Sequence, residues 1–116
     1  MEIKDIKFKA KQLNSGEWVV GDLVHRITDT CIAVKDMDDI VYYPVDPATV
    51  CQFTGLKDKN GTAIYENDIL KYNDEIILFT RPVEYRKGAF RIGCNLLYIL
   101  QDSESFIKII GNKFDK

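Results

Sequence analysis

Histidine and cysteine are scarce in this chain, with one histidine and three cysteines among 116 residues. His25, Cys31, Cys51 and Cys94 formally supply four zinc ligands, but no pair has the spacing of roughly two to four residues that most structural zinc sites use. No metal is expected. An activated thiol needs a cationic or hydrogen-bonding neighbour, and the sequence places none beside a cysteine. Cys31 and Cys51 fall in apolar strand patterns, where a free thiol behaves as a small hydrophobe. Long apolar runs are missing too. Glu75 to Phe79 and Leu96 to Leu100 reach about five residues, against the roughly twenty that span a bilayer. The charged opening, Met1 to Asp5, does not read as a secretion signal, so a reduced, cytoplasmic protein is expected.

An excess of charge of one sign is also lacking. Sixteen Lys and Arg against 18 Asp and Glu leave a formal net charge of -2. No global cationic field draws the chain to nucleic acid or anionic lipid, and any such binding has to be local. No phosphate-cradling glycine loop, serine elbow or dinucleotide fingerprint occurs. The acidic run Asp36, Asp38, Asp39 lacks the glycine and distant glutamate of a calcium loop. Glu66 and Asp68 are two carboxylates near a turn, with nothing in the sequence to shift their titration. The expectation is a protein that is not an enzyme, with no catalytic, cofactor-binding or metal site.

What the chain has is a soluble globular composition, 46% hydrophobic and 11% aromatic, at a length that sets a prior of one compact module. Its hydrophobic period is mostly two, so strands are expected rather than long helices. Ile6, Phe8 and Ala10 alternate with Lys7, Lys9 and Lys11, which suggests a first strand whose lysines protect an edge, with Lys4 continuing that basic edge. The Asn14-Ser15-Gly16 turn leads into a second strand over 17–27, where Gly21 marks a bulge or a tight crossing. Cys31 to Lys35 and Ile40 to Tyr43 follow as strands around the acidic turn. Asp46 and Pro47 form the N-cap and first position of one short helical turn. Residues 55–67 are rich in turn formers, and Asn60-Gly61 predicts a tight hairpin turn with positive φ at both residues. Further strands are expected over 68–72, 75–80, 82–86, 89–92 and 105–112. No internal repeat is visible.

The stretch Gln52 to Leu70, which includes Gly55, Asp58, Asn60, Gly61, Tyr65, Glu66, Asn67 and Asp68, resembles the signature of the YopX family of small phage and prophage proteins. Three more segments fit the same family: Ile6 to Ala10, Gly16 to Leu23, and Ile109 to Asn112. The lead-in Tyr43 to Val50 is similar to a subgroup. Family members usually carry glycine where this chain has Asn67, which predicts a left-handed backbone there. The resemblance implies a mostly β fold, with an N-terminal β-meander over 1–54 joined by the 55–61 turn to an SH3-like small barrel over 62–112. It also implies a phage-encoded protein acting in a bacterial host cell, and it brings no established activity. The signature has a structural explanation as a connection whose Ile64, Tyr65, Ile69 and Leu70 anchor both halves.

One local feature suggests binding. Arg81, Arg86, Lys87 and Arg91 oppose only Glu84 and interleave with Tyr85 and Phe90, a pattern that suits a basic, aromatic ribbon tracking nucleic acid. Alternation weighs against this, because it sends Val83 and Tyr85 to one face, which would leave Tyr85 and Phe90 in the core and the arginines merely solvated. The preferred reading is therefore a protein-interaction or assembly module with an unidentified protein partner, and nucleic-acid or partner contact through Arg81, Tyr85, Arg86, Lys87 and Arg91 is the alternative. Strand edges and the apolar Trp18, Tyr42 and Tyr43 suggest a homo-oligomer.

Overall fold

A computed structural model describes residues 5–73, 78–92, 95–96 and 107–115. The chain is mostly β, with no α-helix among the described residues, and divides into two compact units, Met1–Phe53 and Thr54–Lys116.

In the first unit, β1 (Phe8–Lys11), β2 (Trp18–His25), β3 (Thr30–Asp36) and β4 (Asp39–Pro44) form an antiparallel meander, and β5 (Cys51–Lys57) returns to pair with β1. The sheet curls, because Val45 bridges to Gln12 at the end of β1, Leu13 N–H donates to the Pro44 carbonyl and Asp46 N–H to that of Lys11. Between β4 and β5 lies a 3-10 turn, Pro47–Thr49, capped by the Asp46 carboxylate, which accepts from Ala48 N–H at 3.0 Å. The expected cap chemistry is present. Ala10, Ile32 and Val45 are fully buried, with Phe8, Val19, Leu23, Val34 and Val50 packed around them. Gly21 sits at a tight crossing, where a Cβ would collide with the carbonyl oxygen of Ala33.

Two expectations about this unit fail. β1 starts at Phe8 and is an interior strand between β2 and β5, so Lys7, Lys9 and Lys11 guard no edge, and Ile6 is 44% exposed rather than core. The lysines instead lay their ammonium groups over rings: Lys7 over Phe53 at 4.5 Å, and Lys9 and Lys11 over Trp18 at 4.7 and 5.5 Å. Lys11 stands directly opposite Trp18 in the ladder, so cross-strand geometry places the cation on the indole and leaves Trp18 half-buried. Nor do Trp18, Tyr42 and Tyr43 form one apolar patch. Tyr43 pairs across from the core residue Ile32, whereas Tyr42 pairs with Ala33 on the other face and is exposed.

In the second unit the end of β5 pairs with β6 (Ala63–Tyr65), and the Glu66-Asn67 turn leads to β7 (Asp68–Asn73). Then come β8 (Leu78–Arg86), β9 (Ala89–Ile92), β10 (Asn95–Leu96) and β11 (Ile107–Asn112), in a sheet ordered β10-β9-β8-β7-β11. Ile64, Leu70, Tyr72, Val83, Ile92 and Ile107 form its core, with Leu56, Phe90 and Ile109 against them. The connectivity repeats that of the first unit: a four-strand meander whose fifth strand returns beside the first.

β8 corrects the expectation of separate strands over 75–80 and 82–86, although residues 75–77 lie outside those described. Pro82 sits inside one strand. It lies where β8 changes partner, from β7 through Pro82 to β9 from Val83 onward, a corner at which a missing N–H is tolerated. The Asn60-Gly61 turn differs as well. Only Gly61 has positive φ, at 79°, because Gly61 N–H donates back to the Asp58 carbonyl and makes Lys59 and Asn60 the central pair. Asn67 does adopt the expected left-handed conformation, at φ 69°.

Candidate functional site

The two sequence features singled out above converge in the second unit. The β6–β7 turn of the signature stretch supplies Glu66 and Asn67, and the basic ribbon supplies Arg81 and Tyr85. Together with Ile69, Thr80, Pro82, Glu84 and Lys113 they line an open cleft of about 630 Å³.

Local chemistry builds each wall. The left-handed Asn67 reverses the chain tightly, its N–H donates to the Val83 carbonyl at 2.7 Å, and its carbonyl accepts from Lys113 N–H at 2.9 Å. This one residue therefore ties the turn to β8 and to the segment that carries Lys113. Beneath it Asp68 is 1% exposed, and its carboxylate accepts from Tyr65 N–H at 2.8 Å and from the Asn112 side-chain amide at 2.9 Å. Burial, and then the Asp68 carboxylate, push the Tyr65 phenol up. Asp68 thus faces inward with polar partners while Glu66 faces the cleft, so the two are not a facing pair of carboxylates.

The opposite wall is β8, whose hairpin with β9 is closed by Lys87 and Gly88 at φ 54° and 76°. Positive φ at both positions twists the turn with the strands, as two-residue hairpins require. Tyr85 is 55% exposed, which corrects the expectation that alternation buries it with Val83. β8 changes partner after Pro82, and Tyr85 lies on the Phe90 ring, edge to face at 5.1 Å and 67°. Phe90 is the half-buried member of the pair and packs on the core.

The five ribbon residues separate into two groups. Arg81 and Tyr85 line the cleft. Arg86, Lys87 and Arg91 lie toward the hairpin tip, where Arg86 approaches Glu84 at 3.9 Å and Arg91 Nε donates to the Arg86 carbonyl at 3.0 Å. Glu66 and Lys113, which the ribbon pattern did not include, complete the cleft. They are distant in sequence from Arg81, and only the fold brings them near it. The cleft carries Arg81 and Lys113 against Glu66 and Glu84, two charges of each sign.

The cysteines show no comparable arrangement. Cys31 and Cys51 are buried thiols, with Cys51 Sγ donating to the Thr49 carbonyl at 3.2 Å, His25 is exposed, and Cys94 lies outside the described residues. Arg26 donates to both carboxylate oxygens of Asp29, at 2.6 and 2.7 Å, and holds that carboxyl below its ordinary range. Cys31 Sγ lies 3.6 Å from the same carboxylate, and burial pushes the thiol up, away from the reactive thiolate. No helix among the described residues is long and apolar enough to cross a membrane.

No curated protein matches the chain. Among solved structures, the crystal structure of protein EF1440 from Enterococcus faecalis aligns over 92% of each chain with a TM-score of 0.59 and 21% identity, a likeness of fold. The family model described as YopX protein matches residues 3–116. With essentially its whole length matched, this chain belongs to the YopX family.

Proposed function

We propose that this YopX protein is a non-enzymatic interaction module whose binding site is the cleft of the second unit. The observation that carries the reading is the balance of charge around an exposed aromatic, with Arg81 and Lys113 set against Glu66 and Glu84 beside Tyr85 and Pro82. A nucleic-acid backbone is a dense line of like charge and favours a groove of uniform cationic character. A polypeptide offers both signs and apolar groups, which suits this lining, and an exposed tyrosine contributes large contact area for little lost conformational freedom.

The same proposal includes an SH3-like character for the second unit, supported by its five-strand order, and it extends that character to the first unit, whose strands follow the same order. A phage or prophage origin, a cytoplasmic site of action and self-association through free strand edges are further parts of it. Selection from a displayed random-peptide library on the intact chain tests the central point. Enrichment of a common sequence on the native chain and its loss on Tyr85→Ala is the expected result. Equal enrichment on both refutes the cleft as the binding site.

A further inference from the structure

We infer that the cleft captures an extended peptide by strand addition at Tyr85, with one acidic residue of the peptide held by Arg81 and Lys113; this rests on the interaction-module reading above. The β8–β9 hairpin closes on two residues, so Arg86 and Ala89 form a hydrogen-bonded pair, and such pairs alternate outward along the ladder. Glu84 with Arg91 is the next hydrogen-bonded pair. Val83 and Tyr85 fall at the intervening positions, with their N–H and C=O groups directed away from β9.

An independent contact fixes the same direction, since the Val83 carbonyl accepts from Asn67 N–H on the side away from β9. Tyr85 is the next residue of that parity. β8 pairs with β7 only as far as Pro82, and the Glu66-Asn67 turn occupies the flank of Val83, so no strand flanks Tyr85 on its outer side among the described residues. Its ring lies on Phe90, Tyr85 lines the cleft, and the ladder parity directs its backbone donor and acceptor away from β9. An exposed donor and acceptor of this kind is what an added strand pairs with.

Charge selects the peptide. Glu84 already lies 3.9 Å from Arg86, whereas Arg81 and Lys113 have no carboxylate partner among the described residues. Arg81, and Lys113 with its ammonium 5.8 Å from the Phe114 ring, stand beside an open strand position without a carboxylate and favour one on the incoming chain. Glu66 in the same cleft disfavours a run of them, and this separates a peptide with one acidic residue from a polyanion.

The test uses the full chain, labelled with 15N, and soluble extended peptides about eight residues long. They alternate threonine and valine and carry glutamate, glutamine or lysine at the centre. The glutamate peptide is expected to bind, to slow hydrogen exchange at the Tyr85 amide, and to weaken about five-fold on Arg81→Gln or on replacement of its glutamate by glutamine. N-methylation at alternate peptide positions is expected to abolish binding in one register and spare it in the other. Binding that maps to the cleft but leaves Tyr85 exchange unchanged and both N-methylated series equal overturns strand addition while the module reading stands. If none of the peptides binds while the display selection yields a Tyr85-dependent sequence, strand addition with an acidic peptide is again refuted and the module stands; failure of both removes the module reading as well.

Discussion

Asp58 offers the sharpest stability prediction. It is 5% exposed, and its carboxylate joins two parts of the second unit. Oδ1 accepts from Asn60 N–H at 2.9 Å and Thr62 N–H at 3.0 Å, organising the β5–β6 loop, and Oδ2 accepts from Ile109 N–H of β11 at 3.2 Å. Asp58→Ala leaves three amides without an acceptor. Hydrogen bonds to a charged group contribute about 1.5–3 kcal/mol each, but these amides are only partly buried and water recovers part of the loss, so the expected total is roughly 3 kcal/mol. Asp58→Asn keeps Oδ1 for the loop but turns an NH2 group toward Ile109 N–H, for an expected loss of about 1 kcal/mol. With a urea slope of about 1 kcal/mol/M for a unit this small, the alanine variant should lower the midpoint by more than 2 M and the asparagine variant by about 1 M. Far-UV circular dichroism follows the transition. A midpoint for Asp58→Ala within about 0.3 M of the native chain, or equal midpoints for the two variants, refutes the assignment of the loop bonds to Oδ1.

Three further predictions concern the turns, the crossing and the buried thiol. Gly21→Ala drives a Cβ into the Ala33 carbonyl and should cost about 2–3 kcal/mol, read as a lowered urea midpoint in Trp18 fluorescence; an unchanged midpoint means the crossing is looser than described. Lys87→Asn, at φ 54° in the hairpin turn, should stabilise by about 0.5 kcal/mol, seen as a small rise in Tm, because asparagine tolerates the left-handed region better. Cys31, whose thiol is pushed up by burial, should resist thiol-specific reagents in the folded chain. The folded state keeps that proton to higher pH than the unfolded one, so the associated stability is complete below the ordinary thiol value and lost as pH rises toward the folded value. A urea midpoint that falls more steeply with alkaline pH in the native chain than in Cys31→Ala, where the Tyr65 phenol still contributes its own fall, is the expected signature, and identical pH profiles refute it.

The features legible in sequence were those with local causes. Asp46 and Pro47 announce their capped turn because the cap is made within three residues. The positive φ of Asn67 was implied by the family resemblance, which places glycine at that position, and asparagine tolerates the left-handed region. The tight crossing was one of the two readings open for Gly21, the other being a bulge. What sequence could not supply depends on partners far along the chain. Lys7, Lys9 and Lys11 look like edge protection until β5 pairs on their other side. Pro82 looks like a strand break until the change of partner from β7 to β9 makes room for it. The repeated connectivity of the two units leaves no trace in residue spacing, because strand order constrains topology rather than side-chain identity. In the cleft, Arg81 and Tyr85 were legible as a basic, aromatic pattern, while Glu66 and Lys113 join them only through the Asn67 hydrogen bonds.

The central claim is that a balanced cleft recognises polypeptide rather than nucleic acid. Fluorescence anisotropy with the glutamate-centred peptide and with a single-stranded oligonucleotide, each at about 20 mM and about 150 mM salt, tests it most directly. The account predicts peptide binding that weakens only about as much as loss of one ion pair, roughly five-fold or less, as salt rises and that depends on Arg81 and Tyr85, with no oligonucleotide binding at either concentration. Oligonucleotide binding that falls steeply with salt and disappears when Arg86, Lys87 and Arg91 are neutralised contradicts it, and moves the site from the cleft to the hairpin tip.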